Sequence, residues 1–420
     1  MRALRIDRKL TRFAAARVAS AFGAGRGAVL GPLRLVDVTA PSLPSADWFP
    51  VTPIRSGICG SDLASVDGRS SLYFEEIVSF PFILGHEIVG EMAADGIGAD
   101  GEPLLAGQRV VVQPVLGCAA RGLELCPACR AGDVGRCGCL THGHLSPGLQ
   151  TGFCRDTGGG WSEGPLVAHA SQLFAVPDDL SDDDAVTVEP MACAIHAALR
   201  AQAGADDTVA IIGAGTLGLG VLAALRFLAG TGRSPSPRRL MIGARYRVQR
   251  QMASAFGADD VVEPRHLDRA VRSATSSLIV GRPTGRSGVL SGGSDITIDC
   301  VGSAESIAEA LRITRPGGRV VLVGMPAKAS LDLAALWHRE IELMGAYAYG
   351  TETVAGESES TFHLALEMAG TIGTGRLVSA SYTLDRYEEA LAHAGSAGSR
   401  GAIKIVFDVR PKRAVSQRED

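Results

Sequence analysis

The stretch Thr208-Val209-Ala210-Ile211-Ile212-Gly213-Ala214-Gly215-Thr216-Leu217-Gly218 decides the fold of this chain. Its first half is a short apolar, β-branched run of the kind buried in a parallel sheet. Its second half is a Gly-x-Gly-x-x-Gly turn, and Leu217 to Leu228 then reads as an apolar helix. A glycine-rich loop alone is weak evidence, and a methyltransferase-type loop is the main alternative. Between a strand and a helix, however, each glycine has a task. Gly213 permits a tight turn, Gly215 lets backbone approach a pyrophosphate, and Gly218 lets the helix pack closely, while the N–H groups around Thr216 and Leu217 point at the phosphate.

Outward from this loop the same texture repeats. Leu240–Gly243, Ile296–Asp299 and Val320–Val323 read as further buried parallel strands, and Val248–Phe256 as a second crossover helix, which together predict an α/β, doubly wound parallel sheet. Leu33 to Phe174 differs: short Val/Ile/Leu runs separated by Gly, Pro and Asp predict a strand-rich, loop-rich domain. A chain of 420 residues suits two domains, and 46% hydrophobic residues, 20% charged residues and 52 glycines suit a buried protein rich in tight turns. Thr231–Arg238 and Gly281–Gly293 read as inserted surface loops, Phe362–Ala369 as a helix and Ile403–Phe407 as a final strand.

Three separated segments carry metal-binding chemistry: Gly57-Ile58-Cys59-Gly60-Ser61-Asp62, Gly85-His86-Glu87 and Val188-Glu189-Pro190. A thiolate, an imidazole and a carboxylate are the set from which a zinc site with an exchangeable fourth position is built. Nine cysteines without a secretion signal favour metal ligation and free thiols over disulfides. Five of the nine lie between Cys118 and Cys139, and the closely spaced thiolates suit a tetrahedral ion.

In this order the motifs resemble those of the zinc-dependent medium-chain dehydrogenase/reductases, in the style of the sorbitol, threonine and glucose dehydrogenase branches, from about residue 30 to about residue 408. The resemblance implies a GroES-like, partly β-barrel catalytic domain from residues 1–185 and 345–420, around a Rossmann nucleotide domain at 186–344. It implies zinc held by Cys59, His86 and either Glu87 or Glu189, with Ser61 taking the alcohol proton and Asp62 orienting a metal ligand. Where many relatives keep a relay histidine this chain has Ala64. Cys126, Cys129 and Cys137 match a structural zinc lobe, whose usual first ligand falls at Leu123; Cys118 is preferred in its place, with Cys139 as the rival. Cys154, Cys193 and Cys300 are expected to be buried thiols, although Cys193 also matches a position touching the nicotinamide, as do Val301 and Val323 at strand ends. Lys404 matches a basic position that reaches pyrophosphate.

The implied activity is hydride transfer between an alcohol, a polyol or sugar included, and NAD(P), reversible with the carbonyl. Its rivals are a zinc-lacking enone reductase and a non-catalytic nucleotide-binding relative. At the end of the second strand Ala244 offers no carboxylate for a ribose hydroxyl, whereas Arg245 and Arg247 could pair with a 2′-phosphate, which predicts NADP over NAD. Trp48 and Trp161 are candidates to line a substrate pocket. A net charge of −4 with dispersed Lys/Arg gives no reason to expect a nucleic-acid partner, and no apolar run reaches membrane-spanning length. A cytoplasmic homo-oligomer, dimer or tetramer, with no membrane partner, is expected. Arg2, Arg5, Arg8, Lys9, Arg12 and Arg17 alternate with apolar residues near the start, and read as a divergent first strand and helix or as a basic amphipathic presequence.

Overall fold

The computed structural model describes residues 1–280 and 288–410. Of the expected loop at 281–293, residues 281–287 lie outside the described residues. The flanking pairs Ile279–Val280 and Val289–Leu290 form a two-stranded antiparallel ribbon.

The nucleotide half is a six-stranded sheet in the order Asp260–Val262, Arg239–Gly243, Thr208–Ile212, Ser294–Asp299, Thr314–Leu322, Glu342–Gly345. Every neighbouring pair is parallel. The central strand shows why its sequence is uninterruptedly apolar: successive side chains point to opposite faces, and both faces are covered. Val209 and Ile211 enter the core that includes helix Thr216–Gly230, while Ala210 and Ile212 enter a second core with Leu267, Ile307 and Leu311. The strand order runs outward on both sides of Thr208–Ile212, so the glycine loop leaves the sheet at the reversal of chain direction, where a crevice opens.

The catalytic half is an antiparallel sheet, Leu173–Ala175, Arg109–Val112, Ile88–Met92, Trp48–Gly57, Lys404–Asp408, with Val378–Tyr382 added in parallel at the edge and Leu166–His169 also pairing with Trp48–Gly57. Lys404–Asp408 lies beside Trp48–Gly57, pairing Val406 with Gly57. The two ends of the chain are thereby joined in one sheet. The expected first strand and helix are present: Arg2–Ile6 sits between Leu33–Asp37 and Phe82–Ile83, and helix Leu10–Ser20 follows it.

One expectation needs correction here. Trp48 and Trp161 are both buried in the core, where the Trp161 indole donates to the Gly57 carbonyl at 3.1 Å and meets the Phe407 ring edge-on. Thr231–Arg238 is, as expected, a surface loop between helix Thr216–Gly230 and strand Arg239–Gly243, and Arg233 fastens it to Glu359 and Glu367. The helix Val188–Ala201, with ten buried residues, goes unnoticed in the sequence because Pro190 in its first turn reads as punctuation.

Candidate metal and nucleotide site

Cys59 stands two residues past the strand Trp48–Gly57 and caps the helix Gly60–Val66, in which Asp62 stands at the third position. That placement lets Asp62 act on two neighbours at once. Its Oδ2 accepts the Cys59 N–H at 2.9 Å, and its Oδ1 lies 3.2 Å from Nδ1 of His86. The carboxylate therefore fixes both the turn bearing the thiol and the orientation of the imidazole, leaving Nε2 of His86 to face an ion. Burial alone would lower the His86 pKa, but the charge and hydrogen bonding of Asp62, with a smaller part from Cys59, hold it well above the usual value.

The donor atoms of Cys59, His86 and Glu87 all lie within 4.8 Å of one another, whereas Glu189 is not in this group. A soft thiolate, an imidazole and a carboxylate at that spacing, buried or half-buried, suit a divalent zinc ion with one position open. Glu87 is held from behind. Its carboxylate pairs with the Lys404 ammonium, both side chains almost fully buried, and Lys404 also donates to the Ile58 carbonyl at 3.2 Å. Gly57 makes room for this pair: a Cβ there would fall 1.7 Å from Oε2 of Glu87. Lys404 is thus not the free basic group that reaches pyrophosphate, because the sheet pairing that brings in the C-terminal strand buries it beneath the metal donors.

Glu189 stands in the first turn of helix Val188–Ala201. Burial raises its pKa to about 7, against the pull of His86, Lys404 and the Tyr349 hydroxyl. The Cys193 thiol, one turn on, donates to Oε1 of Glu189 at 3.7 Å, so Cys193 serves this carboxyl instead of simply filling core. Tyr349 was missed in the sequence, since it arrives from beyond the nucleotide sheet and no local pattern marks it. Ser61 is half-buried in the helix that follows Cys59, and Ala64 is one turn further on.

The thiols of Cys118, Cys126, Cys129 and Cys137 also lie within 4.8 Å of one another, a donor set that suits a closed tetrahedral ion. Leu123 is bypassed and Cys139 stays outside the group; its N–H donates to the Cys137 sulfur at 3.4 Å. The backbone N–H groups of Cys129 and Gly138 draw the Cys126 thiol down to about 6. Arg121, also missed, is fully buried and donates only to backbone carbonyls, those of Leu116, His142, Leu145, Ser146 and Gly148.

At the glycine loop, Gly213 adopts φ +93°, a conformation that excludes most side chains, and a Cβ on Gly218 would lie 1.9 Å from the Gly213 carbonyl. Gly215, by contrast, faces open space, and helix Thr216–Gly230 starts with no side-chain cap, leaving its first N–H groups for a ligand. Val301 packs over Gly213, where a Cβ would meet its methyl at 2.6 Å, and is half exposed. The peptide turn at Val301 is braced by Asp299, which accepts the N–H groups of Val301 at 2.8 Å and Gly302 at 3.2 Å. Val323 is half-buried at the end of the next strand. Arg245 and Arg247 are exposed beside the buried Ala244, and the Arg245 guanidinium stands 5.5 Å over the Tyr246 ring.

A nucleotide crevice at a parallel-sheet reversal and a three-donor metal group on an antiparallel sheet define a metal-dependent dehydrogenase class. Residues 45–178 match the model of the alcohol dehydrogenase GroES-like domain, and residues 242–362 that of the zinc-binding dehydrogenase. The chain is 28% identical over 361 residues to an L-idonate 5-dehydrogenase of Vitis vinifera, covering 84% of this chain and 86% of that one. It is 28% identical over 346 residues to a sorbitol dehydrogenase of Bacillus subtilis, covering 80% and 84%. Its fold is also that of zinc dependent alcohol dehydrogenase 2 from Streptococcus pneumonia, with a TM-score of 0.69, 20% identity and coverage of 99% and 100%. The chain belongs to the zinc-type medium-chain alcohol dehydrogenase family, and it is a zinc-type, NAD(P)-dependent oxidoreductase acting on an alcohol or carbonyl substrate. Among the described residues no helix is long and apolar enough to cross a membrane.

Proposed function

We propose that this enzyme oxidises a secondary alcohol of a polyol or sugar-like substrate with NADP, reversibly, in the cleft between its two domains, 1–185 with 345–420 and 186–344. The observation that carries the reading is the meeting of the Cys59, His86 and Glu87 donors within 4.8 Å on a sheet built from both ends of the chain. When bound at these donors a zinc ion would supply Lewis acidity to the substrate oxygen, and a nicotinamide held at the glycine loop would supply the hydride acceptor. Cys59 and His86 hold the ion; Glu87 is the third donor, restrained by Lys404. Glu189, kept partly protonated near neutrality by its burial, lies behind them and can hold or release a proton near the site. Ser61 receives the alcohol proton, which leaves through solvent because Ala64 offers no relay. Cys118, Cys126, Cys129 and Cys137 would hold a second, structural zinc.

Gly213, Gly215, Thr216, Leu217 and Gly218 bind the pyrophosphate, and Val301 and Val323 border the nicotinamide. The exposed pair Arg245 and Arg247, with no carboxylate at Ala244, supports NADP. The polyol reading is supported by the idonate and sorbitol enzymes among the relatives. The working form is a dimer or tetramer. The test is nicotinamide reduction by zinc-loaded protein across simple alcohols, polyols, aldoses and aromatic alcohols, with both cofactors in parallel. Turnover of a polyol with NADP that Cys59→Ala abolishes is the expected result; turnover confined to enone reduction, or surviving in Cys59→Ala, would overturn it.

A further inference from the structure

The first hairpin contains more chain than its strands need. Ile6 pairs directly with Leu33, so a tight turn of about two residues would connect them. Residues 7–32 intervene instead, folded as helix Leu10–Ser20 and a single turn Gly27–Leu30. The inner side of this insertion is fixed in place: the Phe13 ring meets Phe80 edge-on at 6.1 Å, and the buried Asp67 carboxylate accepts the N–H groups of Gly25 and Gly27, each at 2.9 Å. Asp67 directly follows the helix Gly60–Val66, so the insertion backs the segment that carries Ser61 and Asp62.

The outer side inverts the pattern of an ordinary surface helix, whose apolar stripe faces the core. Leu10, Ala14, Val18 and Phe22 recur every fourth residue and all face solvent; Leu10 is 76% exposed, Val18 68% and Phe22 83%. Val29 and Leu30 extend the surface, and the exposed Tyr73 stands on a turn joined to the insertion by the Arg8–Glu75 ion pair. Between Asp7 and Asp37 there is no acidic residue, while Lys9, Arg17 and Arg26 are exposed, in a chain whose net charge is −4.

We propose that this insertion docks the enzyme peripherally on an anionic lipid surface. Its outward apolar side chains enter the headgroup boundary, and the cationic ones meet the lipid phosphates. The charge pattern selects this occupant. Two copies of the helix Leu10–Ser20 brought face to face would oppose Lys9 and Arg17 to their own counterparts, the nearest carboxylates being Glu75, already paired with Arg8, and Glu76 at the edge of the surface, which disfavours self-association. Side chains standing out from a convex helix also need no preformed groove in the partner. Attachment is interfacial, since no described helix is long and apolar enough to cross a bilayer. The inference departs from the expectation of no membrane partner, which rested on spanning length alone.

The experiment is sedimentation of the zinc-loaded full chain with vesicles of phosphatidylcholine alone or mixed with phosphatidylglycerol, at low and high salt. Binding should require the anionic lipid and weaken with salt. The double substitution Val18→Asp and Phe22→Asp, at exposed positions remote from the metal donors, should lower vesicle binding by about tenfold or more. Nicotinamide reduction in vesicle-free solution should be unchanged. No binding to anionic vesicles at low salt, or equal binding by the double variant, would overturn the proposal. So would a fall in solution mass on making the variant, because that result assigns the face to a second copy of the chain.

Discussion

Replacing Lys404 with Met tests the arrangement under the metal donors most directly. The ammonium and the Glu87 carboxylate are 2% and 1% exposed, and the remaining bond of Lys404 goes to the Ile58 carbonyl at 3.2 Å. Methionine fills nearly the same volume, so the cavity cost is small and the main loss is electrostatic. A buried carboxylate left without its cation costs about 3–5 kcal/mol. The donors of Glu87, Cys59 and His86 lie within 4.8 Å of one another, so a bound zinc ion supplies replacement positive charge. The loss should therefore be largest in chelator-treated protein and smaller by about 1–2 kcal/mol or more with zinc bound. Adding Glu87→Gln to Lys404→Met should restore much of the metal-free stability, because both charges are then gone. Urea denaturation of the four proteins, with and without zinc, measures every part of this cycle. A metal-free loss under about 1 kcal/mol, or equal losses in the two metal states, would refute the reasoning, since it would mean that Glu87 is neither dependent on Lys404 nor within reach of an ion.

Other expectations follow from neighbouring parts of the structure. Glu189, raised to about 7 by burial, favours the protonated form in the folded state, so metal-free protein should lose stability as pH rises from about 4.5 through 7; Glu189→Gln should remove this slope, worth up to about 3 kcal/mol, in denaturation curves taken across that range. Arg121→Met leaves up to five buried carbonyls without their donor and should cost about 3–6 kcal/mol after relaxation, with Arg121→Lys recovering only part because an ammonium cannot span them all; both are read by urea titration. Cys126→Ser should release one zinc per chain by elemental analysis and leave the ion at Cys59 in place; unchanged zinc content would exclude the four-thiol site. Arg245→Ala should lower kcat/KM for NADP by about 10- to 100-fold while sparing NAD, and a uniform effect on both cofactors would remove the 2′-phosphate from its role.

Local pattern carries the nucleotide half. Val209 to Ile212 must be apolar on both faces because two cores receive alternate side chains, and Gly213 and Gly218 are required by a positive φ and a close carbonyl, so the loop is legible wherever the burial that selects its residues is. The sequence also discloses the chemistry of the site, because Cys59, His86 and the clustered cysteines are uncommon residue types with few other uses. It does not tell which carboxylate stands with Cys59 and His86. Glu87 and Glu189 have equal claims on paper, and the tertiary structure groups the first with the donors and places the second in a buried helix turn.

The difference is one of range. Fold class and donor types depend on burial and periodicity within a dozen residues, so the order of amino acids alone determines them. The pairing of Lys404 with Glu87, the arrival of Tyr349 at Glu189, the burial of Trp48 and Trp161 and the outward turn of Leu10, Val18 and Phe22 each depend on contacts across hundreds of positions or on which face a neighbour covers. The first of them is settled when Lys404–Asp408 closes against Trp48–Gly57, since that pairing carries Lys404 beneath Glu87 and takes both charges out of water.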